Sequence, residues 1–193
     1  MKLKSLGNKI STFSIICVTG QMAAGKNYVC SQLEKSGWHA TDLDLTAHQA
    51  IEECKEEILA AFKGEAESSG LSILDSNGSI NRRNLGRLLF KNPSLLARQE
   101  SIIYPKIINL TKDFIAQNQK VIINATVLFK TPELIKFCDA IVFVTAPFFT
   151  RLIRARRRDQ LPYRQILRRF QAQKKLLKEY KKTGKQIIFV RNF

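Results

Sequence analysis

The residues best suited to chemistry lie between positions 15 and 44. An apolar run, Ile15-Ile16-Cys17-Val18, leads into Thr19-Gly20-Gln21-Met22-Ala23-Ala24-Gly25-Lys26-Asn27 and then into a helix-forming segment. G-x-x-x-x-G-K between a strand and a helix is the spacing of a phosphate-binding loop. Gly20 lets the chain turn off the strand. The small residues Ala23, Ala24 and Gly25 let backbone N–H groups close around phosphate oxygens, and the helix points its positive end at the same place. Lys26 reaches the outer phosphates. In such loops the next residue is Ser or Thr, whose hydroxyl ligates Mg²⁺; here it is Asn27, which offers a carboxamide oxygen on a longer arm. An ordinary tight strand-to-helix turn would use the same glycines, but strand, loop and helix all stand where the phosphate motif requires them. Two carboxylates follow, Asp42 and Asp44, at the end of a short strand over Trp38–Thr41. Ligands bind at that end of an open parallel sheet. Carboxylates there suit Mg²⁺ handling and activation of a hydroxyl nucleophile. They equally suit capping of the helix that starts near Leu45, and the residues alone leave both open.

The elements that position these groups alternate along the chain. A helix over Lys26–Ser36 ends at Gly37, and an amphipathic helix over Leu45–Phe62 carries His48 in its first turn and an acidic, solvated face at Glu52, Glu53, Glu56 and Glu57. Residues 63–79, with Gly64, Gly70 and Asn77-Gly78, read as a loop or small hairpin. Helices follow over Arg82–Lys91 and Pro93–Gln117, the second kinked or divided by Pro105. Val121–Ala125 and Ala140–Val144 are continuous β-branched runs, as in central parallel strands, bridged by a short helix over Pro132–Phe137. Basic helices over Pro147–Arg158 and Pro162–Lys182 precede a last strand, Gln186–Val190. Together these give an α/β fold with a parallel sheet of about five strands and helices on both faces.

With 193 residues, 45% of them hydrophobic and 25% charged, the chain suits a single domain, 1–193, with a helical insertion at about 45–117 and a basic lid and helix at about 147–182. The formal charge of +16 is concentrated at the C-terminal end, where residues 151–193 hold fifteen Lys and Arg against Asp159 and Glu179. Cys17, Cys30, Cys54 and Cys138 show no C-x-x-C spacing, which speaks against a zinc site or a disulfide framework and for a reducing, cytoplasmic setting. Lys2, Lys4 and Lys9 followed by Ile10–Val18 resemble a secretion signal superficially. Ser11, Thr12 and Ser14 interrupt the apolar run, which reads as a strand. No run is long enough to span a bilayer.

In this order and at these spacings, the landmarks resemble those of the dephospho-coenzyme A kinase family, a nucleoside-monophosphate-kinase-like branch of the P-loop proteins. The likeness runs from about Ile15 to Asn192. Thr19 to Asn27 is similar to the family's phosphate loop and Asp42-Leu43-Asp44 to its Asp-Ala-Asp, with His48 where the family has Arg or His. Asn77-Gly78-Ser79-Ile80-Asn81-Arg82-Arg83-Asn84-Leu85 resembles Asp-Gly-x-[Leu/Ile]-x-Arg-x-x-Leu, and Phe90-Lys91-Asn92-Pro93 closes that block. Arg154 to Arg158-Asp159, Arg169 to Gln173 and Val190-Arg191-Asn192 resemble its later signatures. Departures are Asn27, Tyr104-Pro105 in place of His-Pro, and Thr126 to Lys130 in place of Pro-Leu-Leu-Phe-Glu.

The resemblance implies a P-loop three-layer fold with a helical substrate-covering insertion and a basic helical lid. It implies ATP-dependent phosphorylation of the 3′-hydroxyl of dephospho-coenzyme A with Mg²⁺. ATP would be bound by Gln21, Met22, Ala23, Ala24, Gly25, Lys26 and Asn27. The acceptor would meet Thr19, Asp44, His48 and Arg82. Lys26, Asp44, Asp42, Arg154 and Arg158 would be catalytic, with the metal at Asn27 and, through water, at Asp42. The alternatives are a related kinase acting on another nucleotide or nucleoside, and a catalytically weakened protein binding nucleic acid through its basic segment. Only Phe170 and Tyr180 interleave the basic residues between Arg164 and Lys182, so no stacking platform is evident and nucleic-acid binding should be nonspecific at most. Oligomeric state is not legible.

Overall fold

Five short strands pair into one sheet, the three central ones apolar and covered on both faces and the two outer ones partly exposed. In the computed structural model, which describes residues 5–90 and 92–192, these strands are β1 (Ile15–Gly20), β2 (His39–Asp42), β3 (Val121–Asn124), β4 (Ala140–Thr145) and β5 (Gln186–Arg191). All pairings are parallel, in the order β2-β3-β1-β4-β5. The helices are α1 (Leu6–Ile10), α2 (Lys26–Glu34), α3 (Leu43–Glu53), α4 (Lys55–Ser68), α5 (Arg82–Leu89), α6 (Pro93–Ala116), α7 (Pro132–Phe137), α8 (Phe148–Asp159), α9 (Tyr163–Ala172) and α10 (Leu176–Lys181). Two compact units result, Met1–Asp42 with Phe114–Phe193, and Leu43–Asp113. Among the described residues no helix is long and apolar enough to cross a membrane.

In the first unit the two-residue period of a strand sorts side chains onto opposite faces of the sheet. Ile16 and Val18 of β1 join Ile122, Val142, Val144, Ile188 and Val190 on one face, where Val29, Cys30 and Leu33 of α2 and Leu6 and Ile10 of α1 cover them. Cys17, between Ile16 and Val18, faces the other way toward Tyr180 of α10. Tyr180 is fully buried. Its hydroxyl accepts from the Leu128 N–H at 3.0 Å and donates to the Thr126 carbonyl at 3.2 Å, while its ring meets Phe129 and Phe143 edge-on. Burial pushes the Tyr180 phenol and the Cys17 thiol above their ordinary pKa values, so both stay neutral.

Two sequence expectations are corrected here. The strand does not begin at Ile10: Leu6 and Ile10, one helical turn apart, are both buried and form α1 instead. Lys2 and Lys4 lie outside the described residues. The expected helix over Pro162–Lys182 is two helices, separated at Gln173–Lys175, and the second serves the core through Tyr180.

In the second unit the expected helix over Leu45–Phe62 is broken at Cys54 (φ −95°, ψ 21°), which turns its side chain into the interior, and α4 then continues to Ser68. The following segment is a small hairpin, with Leu74 bridged to Ile80 and the Asp75 carboxylate accepting the N–H groups of Asn77 and Ser79. The acidic face is not merely solvated: Glu52 accepts the Ile80 N–H, and Glu53 pairs with Lys106 at 2.5 Å. Asn81 caps α5 by accepting the Asn84 N–H, and Lys91, the expected end of that helix, lies outside the described residues. The next helix is not divided at Pro105. One lost backbone bond is tolerated because Gln99, Ile103, Ile107 and Thr111 bury every fourth residue along the same side.

The Tyr180 hydroxyl is what ties α10 to the segment after β3. Tyr180→Phe leaves a buried N–H bare and should cost about 1–3 kcal/mol. Chemical denaturation checks this, and an unchanged midpoint would show that Leu128 N–H finds another partner.

Candidate active site

The loop between β1 and α2 is held open by contacts on three sides. A Cβ on Gly20 would lie 2.3 Å from the Val144 carbonyl oxygen, so only glycine lets β1 and β4 stay this close as the chain turns away. Ala23 (φ 59°) and Gly25 (φ 93°) take left-handed conformations, and the Ala24 N–H closes the turn onto the Gln21 carbonyl at 3.0 Å. At the end of β5, Asn192 donates its side-chain amide to the Ala24 carbonyl at 3.0 Å and its backbone N–H to the Thr145 carbonyl at 2.8 Å. A Cβ on Gly25 would sit 2.0 Å from that Asn192 nitrogen. With the loop fixed this way, α2 begins at Lys26 and presents its N-terminal N–H groups toward the loop.

From the other side α8 grips the loop through Arg151. This arginine is 6% exposed. Its Nε donates to the Met22 carbonyl at 3.0 Å, one terminal nitrogen bonds the Gln21 side-chain oxygen, and its guanidinium lies 4.2 Å from the centre of the Phe170 ring of α9. Burial lowers its pKa. Gln173, just after α9, accepts the Met22 N–H at 2.5 Å.

One turn along α8 from Arg151, Arg154 joins Arg157 and Arg158 in lining a cavity of about 520 Å³ with Ala23, Gly25, Lys26 and Asn27. Arg158 also holds Asp159 through two hydrogen bonds of 2.7 and 3.2 Å. That contact keeps the Asp159 carboxyl below its usual pKa, with Arg169 3.6 Å away adding to the effect. A lysine and three arginines around one cavity at a helix N-terminus suit a polyanion such as a chain of phosphates.

The carboxylate side is built on the edge formed by β1, β3 and β2. Asn124, at the end of β3, is in register with Val18 on one side and Asp42 on the other. Its side-chain NH₂ donates to Asp42 Oδ2 at 3.1 Å and to Asn27 Oδ1 at 3.0 Å. Asp44 and His48 belong to the second unit, four residues apart on one exposed face of α3. Arg82 opens α5 and lines, with Arg83, Arg87, Leu71, Leu88 and Phe90, a cavity of about 1300 Å³ within that unit.

The residues expected at the phosphates differ in the partners they already hold. Ala23, Gly25, Lys26 and Asn27 do line the cavity beside the arginines. The Gln21 side-chain oxygen is held by Arg151, Met22 has its N–H on Gln173 and its carbonyl on Arg151, and the Ala24 N–H bonds within the loop. These three shape the loop. Thr19, expected at the acceptor, is wholly buried, and its hydroxyl donates to the Thr126 carbonyl at 3.2 Å. Sequence spacing assigns no role to Arg151, Arg157 or Asn124. For Arg151 a signal exists, since it shares a helix face with Arg154 and Arg158; for Asn124 the only signal is its place at the end of an apolar strand.

Arg151→Met should loosen the loop. Loss of a charge-assisted bond of this kind costs about 1.5–3 kcal/mol, so ATP affinity measured by calorimetry should fall roughly tenfold or more. Wild-type affinity in the variant would mean that the loop holds its shape without Arg151.

Residues 14–190 match the family described as CoaE, dephospho-CoA kinase. The chain is 34% identical over 185 residues to the dephospho-CoA kinase of Treponema denticola, covering 93% of this chain and 82% of that one. It is 33% identical over 165 residues to that of Treponema pallidum, covering 83% and 78%. Among solved structures, TT1252 from Thermus thermophilus superposes with a TM-score of 0.74 at 26% identity, over 93% of this chain and 88% of that one. The dephospho-CoA kinase of Campylobacter jejuni shares the fold, with a TM-score of 0.61 at 19% identity over 93% and 88%. A family match that runs through the phosphate loop, the arginine helix and all but the end of β5 means that this chain belongs to the dephospho-CoA kinase family.

Proposed function

We propose that the protein transfers the γ-phosphoryl group of ATP to the 3′-hydroxyl of dephospho-coenzyme A, giving coenzyme A and ADP, with the residues in the following roles. The observation that carries the reading is the cavity in which Lys26 and the loop meet Arg154, Arg157 and Arg158. Phosphoryl transfer passes through a loose transition state with charge spread over the phosphoryl oxygens, so positioning and charge neutralisation dominate catalysis. Lys26 and the N–H groups at the start of α2 hold the ATP phosphates. Arg154 and Arg158 of the lid act on the transferred group, and Arg157 adds a further cation.

Asp44 accepts the proton of the attacking hydroxyl, while Asp42 orients the acceptor or holds a metal-bound water. His48, on the same face of α3 as Asp44, and Arg82 bind the acceptor. Thr19 has no part in this scheme, its hydroxyl being spent in the core.

Mg²⁺ fits the donors present. Asp42 and the Asn27 carbonyl oxygen are hard oxygen ligands, and Asn27 Oδ1 keeps a second lone pair after accepting from Asn124. Among the described residues no three His, Cys, Asp or Glu side chains gather as a metal cage. A cation held by these oxygens would complete its coordination with substrate phosphates and water. Bound there, it would neutralise charge on the phosphates. The four free, buried cysteines agree with a reducing, cytoplasmic setting.

Two substitutions test these roles. Lys26→Ala should lower kcat by about a thousandfold or more without moving the melting temperature, since the lysine stabilises developing charge rather than the core. Activity within a few-fold of wild type would overturn the loop assignment. Asp44→Asn should depress kcat far more than ATP affinity; unchanged turnover with a lower melting temperature would make Asp44 a helix-stabilising residue only.

A further inference from the structure

Asn124 is 6% exposed and ends β3, in register with Val18 within β1 and with Asp42, the last residue of β2. Both protons of its NH₂ group are committed, one to Asp42 and one to Asn27, residues 82 and 97 positions away in sequence. These two acceptors are each rich in negative charge and would repel one another if brought together alone. A group with two donors between them is what allows them to lie side by side. The other half of the same carboxamide is different: Oδ1 is buried and has no hydrogen-bond partner. A bare buried acceptor costs about 1–3 kcal/mol, and such atoms are rare enough to need a reason. An apolar residue would avoid that cost, but it could not hold Asp42 and Asn27.

We propose that Asn124 is a positioning residue for phosphoryl transfer, clamping Asp42 to the phosphate loop through Asn27 and keeping its carbonyl oxygen for a hydrogen-bond donor that arrives with the metal–nucleotide complex. The proposal rests on the role given above to Asp42. It makes the loop and the carboxylate one unit, because a shift of Asn27 on nucleotide binding is passed through Asn124 to Asp42. It also gives Asn27 a function: its oxygen anchors the clamp, which a shorter hydroxyl at that position would reach less well.

The test uses the full chain in five forms: wild type, Asn27→Ala, Asn124→Ala, the double variant, and Asp42→Asn as control. Steady-state kinetics with ATP and dephospho-coenzyme A are measured beside calorimetric ATP binding in Mg²⁺ and in EDTA. Asn124→Ala should lower kcat about tenfold or more, leave KM for dephospho-coenzyme A within about threefold, and shrink the gain in ATP affinity that Mg²⁺ brings. The double variant should lose less than the product of the two single losses, because the Asn27–Asn124 bond is counted in both. If Asn124→Ala fails to fold, Asn124→Asp keeps the shape and turns the donor into an acceptor. Asp42 and Asn27 then lose their donor, so its kcat should fall at least as far as in Asn124→Ala while KM for dephospho-coenzyme A stays within about threefold. Independent, multiplying losses in the double variant would overturn the proposal. So would wild-type turnover in Asn124→Ala or Asn124→Asp while Asp42→Asn is impaired. Full turnover in Asp42→Asn would instead remove the role of Asp42 on which the clamp depends.

Discussion

The ligand end of this protein depends on the approach of two backbones at the ends of β1 and β4. At Gly20 a single added carbon would stand 2.3 Å from the Val144 carbonyl, far inside contact distance. Because β1 lies between β3 and β4, the loop that leaves it emerges at the point where connections diverge to either side of the sheet, where open α/β folds form their ligand crevice. The rest follows from fixing that exit. Asn192 reaches the loop from β5, Arg151 and Gln173 from the basic helices, and Asn124 reaches Asn27 from β3. Four elements distant in sequence thus converge on one short loop, which is how backbone N–H groups can be kept in place for a ligand before it arrives.

Within the basic C-terminal segment, different residues do different work. Arg151 is buried against an aromatic ring and a backbone carbonyl, and Tyr180 fills the core beneath the sheet. Arg154, Arg157 and Arg158 stand with Lys26 around the cavity. Gathering like charges around one cavity raises the free energy of the empty protein, and a polyanion relieves it. Binding and stability are therefore linked, and nucleotide should raise resistance to unfolding with the logarithm of its free concentration above Kd.

Strands, loop and order of elements were legible because each rests on a local signal: continuous β-branched runs for β3 and β4, glycine spacing for the loop, Pro132 for the start of α7. The misread places are those where a tertiary partner decides. Cys54 breaks a helical period because its side chain is buried, and Gln173 to Lys175 separate α9 from α10 so that Gln173 can meet the loop and Tyr180 the core. Candidate chemistry divides the same way. Lys26, Arg154 and Arg158 follow from motif spacing, whereas Arg151 with Gln21 and Asn124 with Asn27 are pairs 130 and 97 residues apart, invisible to periodicity. Thr19 shows the converse: a hydroxyl beside a phosphate motif reads as a ligand group until its buried partner, the Thr126 carbonyl, is seen.

The central claim is that this loop and its arginines serve transfer to one acceptor. It is met most directly by following ADP release with dephospho-coenzyme A, AMP and adenosine in parallel and identifying the phosphorylated product by mass spectrometry. The account predicts ATP-dependent turnover with dephospho-coenzyme A alone and a product carrying one added phosphate on the ribose 3′ position. Turnover with AMP or adenosine and none with dephospho-coenzyme A would contradict it.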